Sequence, residues 1–314
     1  MRTVSGLFDE RSRKTRWASQ STPLLTLEVK LNSRELLTIA MTATAIVSQP
    51  SAGQACGNPP EFGKAWTEGK AVLFKSSKLN VDADGAPNSY LVDGKGLSYT
   101  CDGVVAVENG KRISPSSNPS DWQKKCNAAW SIAKSTGDYS GVAIFGFQTD
   151  SKNRPLIQGE GDPFPGKAYI SATSVTIPGT PSGTQRQYVD ALKIPYIVLP
   201  STFISKYKVK PGALAVVYRK KSNTYAFAVF ADGGGLGEAS IKLHQDIGGK
   251  PIVRIAGVDR AKARIEDPVL IAVFPERIAA PHADLDAWNS KIKEEGATAL
   301  QEFGGLAQLQ ACAK

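Results

Sequence analysis

The chain has 314 residues, 41% of them hydrophobic and 21% charged, enough to bury a sizeable core as one large domain or two small ones. Its formal net charge is +9, but residues 1–55 hold seven Lys/Arg and four Asp/Glu, which leaves 31 against 25, about +6, for the remainder. That excess is scattered, as in Lys124–Lys125 and Arg219–Lys220–Lys221, without the basic stripe interleaved with aromatics that would argue for a nucleic-acid partner.

From the N-terminus, Arg34 is followed by the apolar stretch 36–47 and then by Ser51-Ala52-Gly53-Gln54-Ala55. This matches a secretory signal peptide cleaved after Ala55. Residues 29–34 would make its charged start if Val29 were the initiator, so residues 1–28 read as a start-site overextension and 29–55 as the signal. The apolar stretch falls short of the roughly 20 residues a membrane span needs, and a buried helix over 35–47 is the alternative. The reading is a secreted or periplasmic monomer with no membrane partner after cleavage. Residues 56–314 then form a single domain.

All four cysteines, Cys56, Cys101, Cys126 and Cys312, follow the cleavage point, and an even number in an exported chain implies disulfides. Of three possible pairings, Cys101 with Cys126 and Cys56 with Cys312 is expected, because it closes a local loop and ties the two ends. No CxxC spacing suggests zinc. Cys56 as a lipid anchor is disfavoured by Gly53, where a lipobox usually has Leu.

Short β-type runs follow at 71–75, 141–147, 168–176, 195–199, 213–219, 225–231 and 268–274, each bounded by Gly, Pro, Asn or Ser. Helical patterns fall at 121–134 with Ser120 as N-cap, at 238–247 ended by Gly248–Gly249, and at 284 to about 303. Many short strands and few helices predict a mainly β chain, a closed barrel or a sandwich, with a C-terminal helix. Leu285, Trp288 and Ile292 share a helical stripe, which makes Trp288 a packing residue rather than a sugar platform.

Cofactor and nucleophile chemistry lacks its residues. The two histidines, His244 and His282, lie in no HExxH motif, and His244 reads as solvated or hydrogen-bonded. Gly233-Gly234-Gly235-Leu236-Gly237 lacks the Lys-Ser/Thr of a phosphate loop. No metal or cofactor is called for. The glycine loop makes better sense as the link between Asp232, ending a hydrophobic strand, and Glu238, starting a helix. Inverting glycosidases hold two carboxyl groups roughly 6.5–9.5 Å apart, one protonating the leaving oxygen and the other activating water. The plainer reading is a turn Asp and a helix-start charge.

The segment Tyr225-Ala-Phe-Ala-Val-Phe-Ala-Asp232-Gly-Gly-Gly-Leu-Gly-Glu238-Ala-Ser240 resembles the central motif of the glycoside hydrolase family 75 chitosanases, a hydrophobic strand, Asp-x-Gly, a loop, then Gly-Glu-x-Ser. Three further stretches follow the family's order: Asp82-Ala-Asp84-Gly-Ala-Pro-Asn-Ser-Tyr90, Tyr169-Ile-Ser171-Ala-Thr173-Ser174, and Tyr188-Val-Asp190-Ala-Leu-Lys-Ile-Pro195 to Pro200. The resemblance covers about residues 70–275. It implies a six-stranded, double-psi-like β-barrel that hydrolyses β-1,4-linked glucosamine polymers with inversion. Asp232 and Glu238 would be the catalytic carboxylates, and Asp82, Asp84, Tyr90, Tyr169 and Asp190 would bind the polysaccharide. The loop between the carboxylates is shorter than the family's and lacks its Pro, and the helical tail 276–314 lies outside the family's core.

A chain near +6 should repel a cationic polymer at long range unless the cleft is locally acidic. Asp82, Asp84, Asp93, Asp190, Asp232 and Glu238 are the candidates for such a lining, and solvated turn residues are the alternative for the first three. A helix N-terminus would favour Glu238 as the anionic base, whereas apolar walls around it would make it the acid. Tyr90, Tyr169 and Trp130 are candidate stacking residues. Two other functions stay open, a non-catalytic glycan-binding or wall-loosening protein and a hydrolase of another wall polysaccharide.

Overall fold

The computed structural model describes residues 56, 57 and 59–314, so the expected overextension, the signal peptide and the alternative helix at 35–47 lie outside the described residues. In chain order the strands are β1 (Ala65–Glu68), β2 (Ala71–Ser76), β3 (Asn80–Asp82), β4 (Val104–Glu108), β5 (Lys111–Ile113), β6 (Val142–Ile144) and β7 (Tyr196–Leu199). There follow β8 (Ala213–Arg219), β9 (Thr224–Gly233), β10 (Glu238–Ser240), β11 (Ile252–Ile255), β12 (Val258–Ala261) and β13 (Val269–Ile278). The helices are α1 (Trp122–Thr136), α2 (Ser201–Tyr207), α3 (Ile241–Asp246), α4 (Leu285–Phe303) and α5 (Gly305–Cys312). The chain is mainly sheet with few helices. No described helix is long and apolar enough to cross a membrane.

Eight strands form the main sheet in the order β1-β2-β13-β8-β9-β7-β10-β3. The β7–β9 and β10–β3 pairs are parallel and the others antiparallel. No ladder joins β1 to β3 among the described residues, so the sheet is not closed, and it has eight strands where a six-stranded barrel was expected. β8 is buried on both faces except at its end, which is why it reads as a continuous apolar run rather than an alternating one. The main core gathers Phe74, Tyr196, Leu199, Leu214 and Ile271 from this sheet.

A smaller lobe stands apart from that core. The β5-β4-β6 sheet and α1 enclose Tyr90, Val104, Trp130, Phe147 and Tyr169, a cluster dominated by aromatic rings. The Cys101–Cys126 disulfide ties the turn before β4 to α1, and Cys56–Cys312 ties the first described residue to the end of α5. Both pairings match the expectation.

The helical tail is packing. Trp288 is buried in the main core and donates its indole N–H to the Ala279 carbonyl at 3.0 Å. Gly296 lets α4 approach β9 closely, since a Cβ there would fall 2.7 Å from the Phe227 ring.

Three local expectations need correction. α1 is flanked by Asp121, not capped by Ser120, whose hydroxyl instead donates to Asn118 Oδ1. The helix expected over 238–247 is a strand followed by a shorter helix: β10 pairs with β3, and α3 begins only after Ser240, whose Oγ accepts from Leu243 N at 3.1 Å. The apolar run 168–176 forms no regular strand. Its amides bond irregular segments instead, Tyr169 N to the Tyr90 carbonyl and Ser171 N to the Gln185 side chain.

Candidate functional site

Asp232 is positioned by an interruption in the β7–β9 ladder. Ile197 pairs with Phe230 but Val198 pairs with Asp232, so Ala231 is left over as a bulge, a device that re-aims side chains near sites. Asp232 is 6% exposed, and its Oδ1 accepts from Ser174 N, Ser174 Oγ and Gly233 N, each at 2.7 Å. Ser174 belongs to the irregular run that failed to form a strand.

Asp82 ends β3 and Asp84 follows in the turn. One carboxylate oxygen from each of Asp82, Asp84 and Asp232 lies within 4.8 Å of the others. Asp82 Oδ1 accepts from Asp84 N at 2.9 Å, the Tyr90 hydroxyl donates to Asp84 Oδ1 at 2.7 Å, and the Tyr196 hydroxyl donates to the Asp84 carbonyl at 2.8 Å. Gly103 and Gly146 leave room for the Tyr90 ring, because a Cβ at either would come within 2.8 Å of it.

Glu238 opens β10, and the glycine loop folds around its carboxylate. Gly235 N donates to Glu238 Oε2 at 3.3 Å, and a Cβ on Gly234 or Gly235 would sit 3.0 Å from a carboxylate oxygen. Gly237 takes φ +82, where a side chain would also strike Ser76 Oγ. Glu238 belongs to a strand, two residues ahead of the Ser240 N-cap of α3 and so outside the first helical turn, and the argument that made it the base as a helix-start residue falls away.

Asp82, Asp84, Tyr90, Asp232 and Glu238 all line one cavity of about 640 Å³, within the range of ligand pockets. The same cavity is lined by Trp122 and Phe145 from the small lobe and by Lys262 and Arg264. Both cations are already paired, Lys262 with Asp102 at 2.8 Å and Arg264 with Glu266 at 2.7 Å. Among the described residues no salt bridge reaches Asp82, Asp84, Asp232 or Glu238. Carboxyl groups therefore gather in this cavity although the chain is basic.

Burial raises all four of these carboxyl groups above the ordinary range. For Asp82 and Asp84 the rise is large, burial being reinforced first by Asp232 for Asp82 and by Asp82 for Asp84. For Asp232, burial is opposed by the donors from Ser174 and Gly233 and by a hydrogen bond with Asp82. For Glu238, burial is opposed only by the Gly235 amide, and Asp232 adds to the rise. Asp82 and Asp84 thus hold protons most tightly, and Asp232 is the oxygen acceptor best supplied with donors. The oxygen cluster of Asp82, Asp84 and Asp232 is of the hard type that suits Ca²⁺ or Mg²⁺.

Other expected site residues lie elsewhere. Tyr169 is buried in the small lobe, stacked on Phe147 with centroids 4.8 Å apart, and burial pushes its hydroxyl up to about 12. Asp190 is buried and accepts from Leu192 N at 2.9 Å, which makes it a turn residue. Asp93 is exposed and accepts from Lys95 N in the same way, and Trp130 is enclosed by Phe147, Tyr139 and Tyr169. His244 is buried, with Nδ1 2.9 Å from the Ser240 carbonyl and Nε2 3.1 Å from that of Leu79, so it ties α3 to the approach to β3. The residues that sequence reasoning did not single out are Ser174, Tyr196, Trp122 and Phe145. Ser174 and Tyr196 carried a signal, each lying in a quoted motif.

Compared with known proteins, the chain matches no family model and no curated protein.

Proposed function

We propose that the chain is an exported, endo-acting glycoside hydrolase that cleaves β-1,4-glucosamine linkages of chitosan with inversion. The observation that carries this reading is the convergence of Asp232 and Glu238, from the two ends of one glycine loop, on a single cavity, neither carboxyl being drawn into a salt bridge among the described residues. The resemblance to the family 75 chitosanases belongs to the proposal, as does a double-psi-like barrel, to which the two parallel strand pairs lend support. Two disulfides fit an oxidising, extracellular setting.

The roles follow from the hydrogen bonds. Three donors on Asp232 Oδ1 favour its anion, so Asp232 acts as the base. Glu238, whose carboxyl is raised by burial and receives only one long bond from Gly235, takes the role of the acid. Glu238 protonates the glycosidic oxygen as the C1–O bond breaks. A water attacks C1 from the opposite face and gives its proton to Asp232. Exchange with solvent then returns the proton to Glu238 and removes it from Asp232. The objection from net charge is met locally by the Asp232 carboxylate and by the acceptor oxygens of Asp82 and Asp84 clustered beside it, which the ammonium of a bound glucosamine can approach.

The test is release of new reducing ends from chitosans of graded acetylation, from chitin and from peptidoglycan. Release that rises with the glucosamine fraction is expected. Binding without release would instead mark a non-catalytic glycan-binding protein, and preference for chitin or peptidoglycan would reassign the substrate.

A further inference from the structure

We infer that the cavity carries an aromatic subsite, Trp122 with Phe145, that takes the ring of a glucosamine unit flanking the scissile bond; this rests on the glycosidase reading above. Phe145 is 52% exposed yet lines the same cavity as Asp232 and Glu238. A lone exposed Phe is ordinary on a protein surface. This one lines a cavity that a second aromatic, Trp122, and the carboxyl groups also line.

Both residues sit on tethered backbone. Trp122 opens α1 and packs partly against the small lobe's core. Cys126 lies four residues on, hence on the same helix face, and its disulfide partner Cys101 also lines the cavity. Phe145 follows β6, and its amide donates to the Gly103 carbonyl at 2.9 Å. Aromatic contact area comes at low entropy cost, because only two side-chain torsions have to be fixed. The C–H face of a pyranose suits an aromatic ring, and the ammonium of glucosamine is drawn to the ring's negative face.

The aromatics that sequence reasoning offered for stacking cannot present a ring face. Tyr90, Tyr169 and Trp130 are 3%, 4% and 8% exposed. Of these only Tyr90 reaches the cavity, and its hydroxyl is committed to Asp84.

The experiment is calorimetric titration with a glucosamine hexamer, in an Asp232→Asn background, of Phe145→Ala, Trp122→Phe and Phe62→Ala. Phe62 is as exposed as Phe145, at 52%, but does not line the cavity, so its variant controls for loss of a surface ring. Phe145→Ala is expected to weaken binding roughly three- to thirtyfold and Trp122→Phe, which loses part of its ring face, about threefold, while Phe62→Ala binds like the parent. Melting temperatures of the three variants report whether each folds. If Phe145→Ala binds as tightly as the parent while the native protein cleaves chitosan, the subsite is wrong and the hydrolase reading stands. If Phe145→Ala binds weakly but Asp232→Asn still cleaves at the native rate, the subsite stands and the catalytic assignment falls. No binding of the hexamer by the parent overturns both.

Discussion

The main sheet and the small lobe contribute to one cavity by different means. The sheet brings Asp82, Asp232 and Glu238 on hydrogen-bonded strands backed by a large aliphatic core. The lobe brings Trp122 and Phe145 on a short helix-and-strand unit whose core is a ring cluster pinned by a 25-residue disulfide loop. On the proposed reading, proton chemistry sits on the sheet and ligand grip on the disulfide-stapled lobe. Damage to the first should show in turnover, and damage to the second in affinity.

The largest effect expected on that division is at the carboxylates. Asp232→Asn and Glu238→Gln should each lower kcat by about 10² to 10⁴ while binding survives. The double variant should be little worse than the poorer single, because the two groups serve one transition state. Kinetics on chitosan check both points. Multiplying effects would mean that the two act separately.

The disulfides sharpen the comparison next. By loop-closure entropy, losing Cys56–Cys312 should cost about 5.5 kcal/mol and losing Cys101–Cys126 about 3.5 kcal/mol, given sequence separations of 256 and 25. Affinity should follow the opposite order, since only Cys101–Cys126 anchors the aromatic wall. Chemical denaturation and titration of the two Cys→Ser pairs measure this. Equal loss of affinity in both would break the link between the lobe and binding.

A smaller effect is expected at Asp84, whose folded pKa lies well above its unfolded value. Between those values the folded state binds the extra proton, so this carboxyl's contribution to stability is full below the unfolded pKa and is lost as pH rises through the folded one. Asp84→Asn, which can still accept from Tyr90, should therefore stabilise the protein at neutral pH by on the order of 1 kcal/mol. The gain should vanish in acid. A melting-temperature series against pH shows whether it does. The rate profile should shift in the same sense: burial raises both Asp232 and Glu238, so both limbs of the bell should lie above the positions ordinary carboxyls would give.

Much of the sheet was legible because its central strands are buried on both faces. The 213–219 run was read to the residue as β8, and β9 and β13 were found as apolar runs. β3, β5 and β10 have three residues each, too few to show a period. The 168–176 run has strand composition, but its neighbours in space are loops and a Gln185 side chain, which no local pattern reveals. At the site, Asp232 and Glu238 were marked by the glycines between them. Trp122 and Phe145 were not marked, because their value depends on which wall they face, and Tyr169 misled because an aromatic in a motif reads alike whether buried or open.

The most direct test of the proposed chemistry is a proton NMR time course of chitosan with the native protein, read at the anomeric signals before mutarotation. An inverting acid/base pair should produce α-anomeric reducing ends first, with the β signal growing later. No new reducing ends, or β ends appearing first, would contradict the account.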